Sequence, residues 1–353
     1  MSIVDVAKAA GLSHSTVSRV INQRPGVAPE TAAAVRRAMQ SIGYTPPAKR
    51  RGPKPKGRIR AETGNIGLLM VGTETTFARA PVTATVFHAA EKAVAKHGFN
   101  LIVGQLDDGG RLPPDVAKGH IDGLLLHGYP PPLEFRHRLA AHPSVWMLSQ
   151  RSSRDYFGDR VCPDNEFIGR IAAEHLIRHG HKRLAYMYFS ATHMGFRARA
   201  ESFQDTAEEL GATVELIAEN PSDRRPKPRE EFGIEHTEKL VERLLSMKPM
   251  PTGVFVPRDR LAVRLYRCLR DHGIEPGRDV EIVSCDNEPI LDALDPRPAT
   301  IDVQAESIGE CSVQQLVYRM QHPQRKARAL ITIEPVLIDA SGQEFKGVPS
   351  ASD

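Results

Sequence analysis

Five side chains near the start of the chain have the types and spacing to read a polar surface: His14, Ser15, Ser18, Arg19 and Asn22. On a helix they lie away from the seam formed by Val17, Val20 and Ile21. Such a face offers donors and acceptors for base edges and phosphates but little to a core, as a helix laid in a DNA major groove requires. A second concentration of chemistry is a run of one-signed charge. Residues 49–60 hold seven Lys or Arg and no acid, including Arg50, Arg51, Lys54, Lys56 and Arg58, with Pro53 and Pro55 between them. Prolines and glycines keep this stretch extended and exclude a regular helix. It is either a solvated linker or an arm that follows the minor groove, where narrow A·T-rich segments concentrate negative potential. His179 and His181 flank Gly180. There they read as cations complementing a helix end rather than as metal ligands.

The elements that must position these groups follow from periodicity and punctuation. Ser2 and Asp5 make a capping-box-like start, with Asp5 in place of Glu or Gln. Val6, Ala9, Ala10 and Leu12 continue a helical seam up to and past Gly11, which supplies a sharp turn, and Ser13 opens the second helix. Pro25-Gly26 ends it; Pro29 suits a first helical turn, and Ala32, Val35, Ala38, Met39 and Ile42 give a third helix its inner face. Residues 1–45 are thus expected to form a three-helix headpiece, with a basic linker at 46–63.

The whole chain of 353 residues is too long for one such module. Charge is divided as well: residues 1–63 carry 12 Lys or Arg against 3 Asp or Glu, whereas residues 64–353 carry 35 against 40. A basic head on a mildly acidic body lets the head meet phosphate while the body stays clear of it. Cysteines at 162, 268, 285 and 311 never approach metal-ligand or disulfide-framework spacing, so reduced thiols are expected. Asp5 and Lys8 lie in the first turns and no long apolar run follows, which argues against a signal peptide or membrane anchor and for a cytoplasmic, nucleoid-associated protein.

From Gly64 short apolar runs alternate with amphipathic segments. IGLLMV (66–71), FNLIVG (99–104), GLLLH (123–127), VWML (145–148), LAYMYF (184–189), TVELIA (213–218), GVFV (253–256) and EIVSC (281–285) predict strands. Helices are expected near 82–97, 133–142, 166–179, 197–210, 232–247, 259–272 and 306–321. Apolar strands separated by crossover helices predict parallel α/β sheets, here two of them. Asp107-Asp108 before two glycines predicts a turn, and the charged, Pro-rich 220–231 a surface excursion. No phosphate-binding loop follows the first strand, so no cofactor is expected.

DVAKAAGLSHSTVSRVIN, followed by GVAPETAAAVRRAMQSIGYTP, resembles the helix-turn-helix and third helix of the lactose-repressor (LacI/GalR) family of bacterial transcription regulators. DNEFIGRIAAEHLIRHGHKRLAYM (164–187) is similar to that family's Asp-Asn, Ala-x-x-His-Leu and Gly-His blocks. The resemblance implies a helix-turn-helix headpiece plus a periplasmic-binding-protein-like α/β domain of two Rossmann-like lobes. It places that effector-binding and dimerisation domain at 64–340, with lobe crossings near 163, 290 and 325 and a C-terminal tail at 341–353. His14 and Ser15 then fall on specificity positions, Thr16 and Ser18 on phosphate contacts, and Arg19 and Asn22 on base-edge or backbone contacts. Arg199, in RAESF, matches an arginine that reaches the effector, and Asp286, in SCDN, an acid that holds ligand hydroxyls or a ring nitrogen. A guanidinium with planar donors beside a carboxylate acceptor can grip a sugar or small acid.

The sequence also departs from the family. Arg258 stands where Asn is usual; it either favours an acidic effector or pairs with Asp259 or Asp286. The loop around Thr75, Thr76, Phe77 and Arg79 lacks the usual Asn-Pro-Phe, although Phe77 and Arg79 remain candidate effector contacts. No leucine occurs between Thr45 and Gly67, so the usual hinge leucine that wedges into the operator is missing; Arg51-Gly52-Pro53-Lys54 looks instead like a scrambled AT-hook core.

Three classes of function compete. A repressor of near-palindromic double-stranded operators, acting as a homodimer and controlled by a sugar or sugar derivative, uses every feature above. An enzyme fused to a DNA-binding head would need a nucleophile with its base, or a metal cluster, and none stands out. A solute-binding protein would share the cleft but have no use for residues 1–60.

Overall fold

In this computed structural model the described residues are 2–21, 27–44, 63–72, 80–106, 111–150, 156–188, 193–218 and 237–344. Two compact units divide the chain, residues 1–54 and 55–353.

The first unit contains α1 (Ile3–Ala10), α2 (His14–Ile21) and α3 (Pro29–Ser41). Asp5 starts α1 by accepting from the backbone N–H and the hydroxyl of Ser2, at 2.8 and 3.1 Å. Gly11 ends it with φ 64°, a left-handed conformation that costs a side-chain-bearing residue, and so turns the chain into α2. Val6, Ala7, Val17, Val35 and Ala38 form the buried centre, with Leu12, Val20, Met39 and Tyr44 packed around it.

The second unit runs β1 (Asn65–Val71), α4 (Pro81–Lys96), β2 (Asn100–Leu106), α5 (Pro114–Ala117), β3 (Gly123–Gly128), α6 (Leu133–Ala140), β4 (Ser144–Met147), β5 (Asp159–Pro163), α7 (Asn165–Arg178), β6 (Arg183–Tyr188), α8 (Met194–Glu209), β7 (Thr213–Ala218), α9 (Thr237–Ser246), β8 (Gly253–Phe255), α10 (Asp259–Asp271), β9 (Glu281–Cys285), β10 (Ala299–Asp302), α11 (Ala305–Gln321), β11 (Leu330–Ile333) and β12 (Val336–Ile338). It holds two six-stranded sheets, ordered β11-β5-β4-β3-β1-β2 and β12-β10-β9-β8-β6-β7. All pairings are parallel except that of β10 with β12. Both sheets are doubly wound, so each presents a crevice at the carboxyl ends of its strands.

Leu68, Leu125, Val145 and Val161 pack against α4 and α11 on one face of the first sheet; Leu69, Leu124, Leu126 and Trp146 fill the other. In the second lobe Tyr186, Phe255 and Val283 of the sheet pack with Phe203 of α8 on the α7–α8 side, while Val254 and Ile282 pack with Leu261 and Leu265 of α10 on the α9–α10 side. Asp159 closes the first lobe from within. Fully buried, it accepts from Arg319 Nε at 2.9 Å, again from Arg319 Nη2, from Gln315 Nε2 at 2.6 Å and from the Ala329 N–H at 2.8 Å.

The chain passes between lobes after β5, between β10 and α11, and between β11 and β12. The second and third passages therefore lie at 303–304 and 334–335, later than the expected 290 and 325. Pro289–Ala293 is a short 3-10 helix rather than a crossing, and β10 then extends the second sheet. Residue 325 belongs to a turn, with the Arg325 N–H donating to the His322 carbonyl at 3.1 Å. At the start of the expected tail, Asp339 accepts from the N–H groups of Ser341 and Gln343 and Glu344 bridges to Ile338; residues 345–353 lie outside the described residues. The first five residues of the helix expected from 232 lie outside the described residues, as does the excursion at 220–231.

Candidate functional site

On the first unit, Ser13 organises the start of α2. Its hydroxyl accepts from the Thr16 N–H at 3.2 Å and lies 2.8 and 2.9 Å from the hydroxyls of Ser15 and Thr16. This cap fixes the first turn and turns the Thr16 hydroxyl toward the helix end. His14, Ser15 and Arg19 are exposed, Thr16 and Ser18 are half-buried, and Val17 is fully buried. The helix thus has one apolar edge and one polar face, with its N-terminal residues at the surface. Asn22, Arg50, Arg51, Lys54, Lys56 and Arg58 lie outside the described residues.

On the second unit the candidate ligand residues converge at the carboxyl ends of the strands of one lobe. Arg199 comes from α8, Arg258 follows β8 and Asp286 follows β9. Arg199 is 6% exposed and fixed from several sides. Its Nε donates to Asn165 Oδ1 at 2.9 Å, and its Nη1 donates to the Pro257 carbonyl at 3.0 Å and to Cys285 Sγ at 3.3 Å. Among the described residues Nη2 makes no hydrogen bond to the protein. Gly169 lets α7 approach α8 closely enough for the bond from Arg199 to Asn165: a Cβ there would fall 2.2 Å from the Arg199 carbonyl oxygen.

Phe196, one turn earlier on α8, supplies a wall. The guanidinium carbons of Arg199 and Arg258 each lie 5.5 Å from its ring centroid, and His193 stacks on the ring at 4.0 Å. Arg258 and Asp286 are half-buried in this crevice. Burial lowers the Arg258 pKa, against the opposing attraction of Asp286. Burial likewise pushes the Asp286 carboxyl up to about 7, against the pull of Arg199 and Arg258 and with Glu288 adding repulsion. Asp286 also holds φ 120°, a backbone conformation that strains a non-glycine residue.

Asp259 is not the partner of Arg258. It turns inward, accepting from Ser284 Oγ at 2.6 Å, Thr300 Oγ1 at 2.8 Å and the Glu288 N–H at 2.6 Å, while burial and the neighbouring Asp286 raise its pKa well above the usual carboxylate range. Glu288 pairs with Arg260 at 3.2 Å. Sequence reasoning missed Asn165, which is buried at the first lobe crossing and donates to Gln150 Oε1 at 2.9 Å and to the Pro163 carbonyl at 3.2 Å. It joins a first-lobe residue to Arg199. It also missed Phe196; an aromatic three residues before the arginine on one helix was the available signal. Phe77 and Arg79 lie outside the described residues.

Residues 2–47 match bacterial regulatory proteins of the lacI family, and residues 173–339 match a periplasmic binding protein-like domain. The HTH-type transcriptional repressor PurR of Serratia proteamaculans is 29% identical over 347 residues, covering 96% of this chain and 95% of that protein. The ribose operon repressor of Haemophilus influenzae is 26% identical over 342 residues, covering 95% and 96%. Among solved structures, a CelR–cellobiose complex superposes with a TM-score of 0.65 at 22% identity, over 98% of this chain and 100% of that one. The lac repressor dimer bound to operator and the anti-inducer ONPF gives 0.65 at 19%, over 98% of each chain. A ribose-bound regulator from Enterococcus faecium gives 0.62 at 22%, over 81% of this chain and 99% of that one. At these identities the structural likenesses speak for the fold.

Proposed function

Because this chain belongs to the lacI family of bacterial regulatory proteins, we propose that it is a homodimeric repressor whose hold on a near-palindromic operator is set by a sugar acid or related sugar derivative bound between its lobes. The observation that carries the choice of ligand is the grouping of two guanidiniums, Arg199 and Arg258, and one carboxylate, Asp286, around the Phe196 ring. Arg199 Nη2 and Arg258 meet the anionic end of the ligand, and Asp286 accepts from its hydroxyls. With Asp259 committed to the fold, the second cation favours an acid over a neutral sugar. The cellobiose and ribose seen in two structural neighbours support a carbohydrate as the ligand class.

At the operator, His14 and Ser15 approach base edges, Thr16 and Ser18 approach phosphates, and Arg19 and Asn22 complete the reading face. One recognition helix reads only a few base pairs, so two heads on related half-sites supply the specificity. Arg50, Arg51, Lys54, Lys56 and Arg58 follow the groove between them. Among the described residues no helix is long and apolar enough to cross a membrane.

A thermal-shift screen of neutral sugars, aldonic acids and uronic acids, followed by gel retardation on an operator selected from random duplexes, tests the proposal. The best stabiliser is expected to be an acid and to change operator affinity. Arg199→Ala should lose roughly 2–5 kcal/mol of ligand binding while the free protein retains its DNA affinity. Unchanged ligand affinity in that variant would remove Arg199 from the site.

A further inference from the structure

At the other end of the second lobe, four side chains from three places in the sequence meet. His175 lies in the last turn of α7, His179 caps that helix, His181 precedes β6 and Glu281 opens β9. His175 Nε2 and His179 Nδ1 lie 3.1 and 2.7 Å from Glu281 Oε1, and His181 Nε2 lies 2.8 Å from Oε2. The i, i+4 spacing of His175 and His179 puts both imidazoles on one helix face, with ring centroids 4.2 Å apart. The cluster spans a gradient of exposure, with side chains 4% exposed at His175, 25% at Glu281 and 45% at His179.

We infer that His175, His179 and Glu281, whose donor atoms lie within 4.8 Å of one another, form a binding site for a divalent transition-metal ion of the zinc type. Two imidazole nitrogens and one carboxylate, with water in the fourth position, make a donor set suited to zinc, cobalt or nickel. In a tetrahedral site with bonds of about 2.0–2.1 Å, neighbouring donors are about 3.3 Å apart. His175 Nε2 and His179 Nδ1 stand 3.1 and 2.7 Å from Glu281 Oε1, and all three donors lie within 4.8 Å of one another, so modest ring and carboxylate movements admit the ion. Each imidazole binds through the nitrogen that now faces the carboxylate, with its proton on the other nitrogen. His181 acts from outside the ligand set: its Nε2 lies 2.8 Å from Glu281 Oε2 and its Nδ1 2.9 Å from Thr252 Oγ1, so it orients the ligating carboxylate. Gly253 gives the ring room: a Cβ there would lie 3.1 and 3.2 Å from His181 Cβ and Cγ. Glu281 is held well below the usual carboxylate range; the hydrogen bonds and charge of the histidines outweigh its burial, so the ligand is anionic at neutral pH.

The site is separate from the ligand crevice. Glu281 opens β9 and Asp286 follows it, so the two ends are about 16 Å apart along an extended strand. A metal here clamps the carboxyl end of α7 to β9, while the amino end of α7 holds Arg199 through Asn165.

The test uses the full-length, tag-free protein stripped with a chelator, titrated with Zn²⁺ against a chromophoric competitor and separately with Co²⁺. One equivalent of each metal should bind, Co²⁺ should develop the visible bands of a tetrahedral site, and the melting temperature should rise with free Zn²⁺. His179→Ala and Glu281→Gln should each weaken Zn²⁺ by more than about 100-fold, beyond what an outer-shell partner alone supplies. His179 is exposed enough that its truncation leaves the core intact, so it decides the matter if Glu281→Gln does not fold. Failure of the wild type to bind one equivalent, or undiminished binding by His179→Ala, would overturn the site.

Discussion

Asp286 should make ligand binding depend on pH across the neutral range. Burial raises its carboxyl to about 7 in the free protein, so about one tenth is ionised at pH 6 and about nine tenths at pH 8. A ligand hydroxyl that donates to Asp286 needs the ionised form, whereas a sugar-acid carboxylate keeps its charge throughout this range. Affinity should therefore fall about tenfold from pH 8 to pH 6, or about 1.4 kcal/mol. The direction follows from the raised value: the empty crevice favours the proton, and the ligand must displace it. Calorimetry of the best-stabilising sugar acid at pH 6, 7 and 8 measures the slope. Asp286→Asn should bind more weakly at pH 8 and show almost no slope, which separates Asp286 from a contribution by nearby His193. A flat wild-type profile, or the same slope in the Asn variant, would refute the role given to this carboxylate.

Arg319→Met should destabilise the chain by roughly 3–5 kcal/mol, read from the urea midpoint, because it strands the buried Asp159 charge. Burial opposes the low pKa of Asp159, but Arg319, Gln315 and the Ala329 N–H outweigh it; this stabilisation is present above about pH 4 and lost as pH falls toward the depressed native value. Ser13→Ala should cost the headpiece about 1 kcal/mol of stability, measured by thermal unfolding, through loss of the cap on α2. Substitutions at His14, Ser15 or Arg19 should shift preference among operators by roughly 1–3 kcal/mol per base-edge hydrogen-bonding pair while barely changing affinity for random DNA; a uniform loss in binding assays on both would place them on the phosphates. Replacing Arg51, Lys54, Lys56 and Arg58 with Ser should instead weaken binding to every sequence and flatten the plot of log K against log salt by about 0.9 for each phosphate no longer neutralised. Identical slopes would make the stretch a passive tether.

Strands buried on both faces are legible because nothing but apolar residues fills them: β1, β3 and β6 are near-continuous runs. The strands that escape a reading by periodicity carry mixed patterns whose cause lies elsewhere in the chain. β5 opens on Asp159, a residue that argues against a buried strand until Arg319, 160 positions later, supplies its partner. β11 alternates exposed and half-buried positions at a sheet edge, and β12 is three residues long. The expected lobe crossings fall too early for the same reason, because β10 and β12 belong to the second sheet and neither announces itself as a strand. At the candidate site, Arg199, Arg258 and Asp286 stand out through the family resemblance. Their surroundings do not: Asn165 is 34 positions from Arg199, and Glu281 is 106 from His175. Periodicity carries no information at those separations.

The treatment of buried charge separates Asp159 and Asp259, which serve the fold, from Asp286, which supports the proposed ligand site. Asp159 and Asp259 are buried as completely as any carboxylate can be, and each receives hydrogen bonds on both oxygens from side chains and a backbone N–H. Burying them is tolerable because those bonds replace the lost water. Asp286 is treated differently. Its carboxylate takes a hydrogen bond from the Cys285 thiol but, among the described residues, none from a backbone N–H or hydroxyl; its backbone is strained at φ 120°, and its pKa is shifted toward the neutral form. Strain of this kind costs roughly 1–3 kcal/mol, and well-packed apolar residues in place of the buried charges would often be no less stable. A chain that supplies complete partners to Asp159 and Asp259, yet sets a strained Asp286 beside Arg199 and Arg258, has the arrangement that the proposed ligand contact requires. Arg199 fits the same logic: Asn165, Pro257 and Cys285 hold its Nε and Nη1 still, so the direction of the remaining amino group is fixed in advance, as the proposed contact requires.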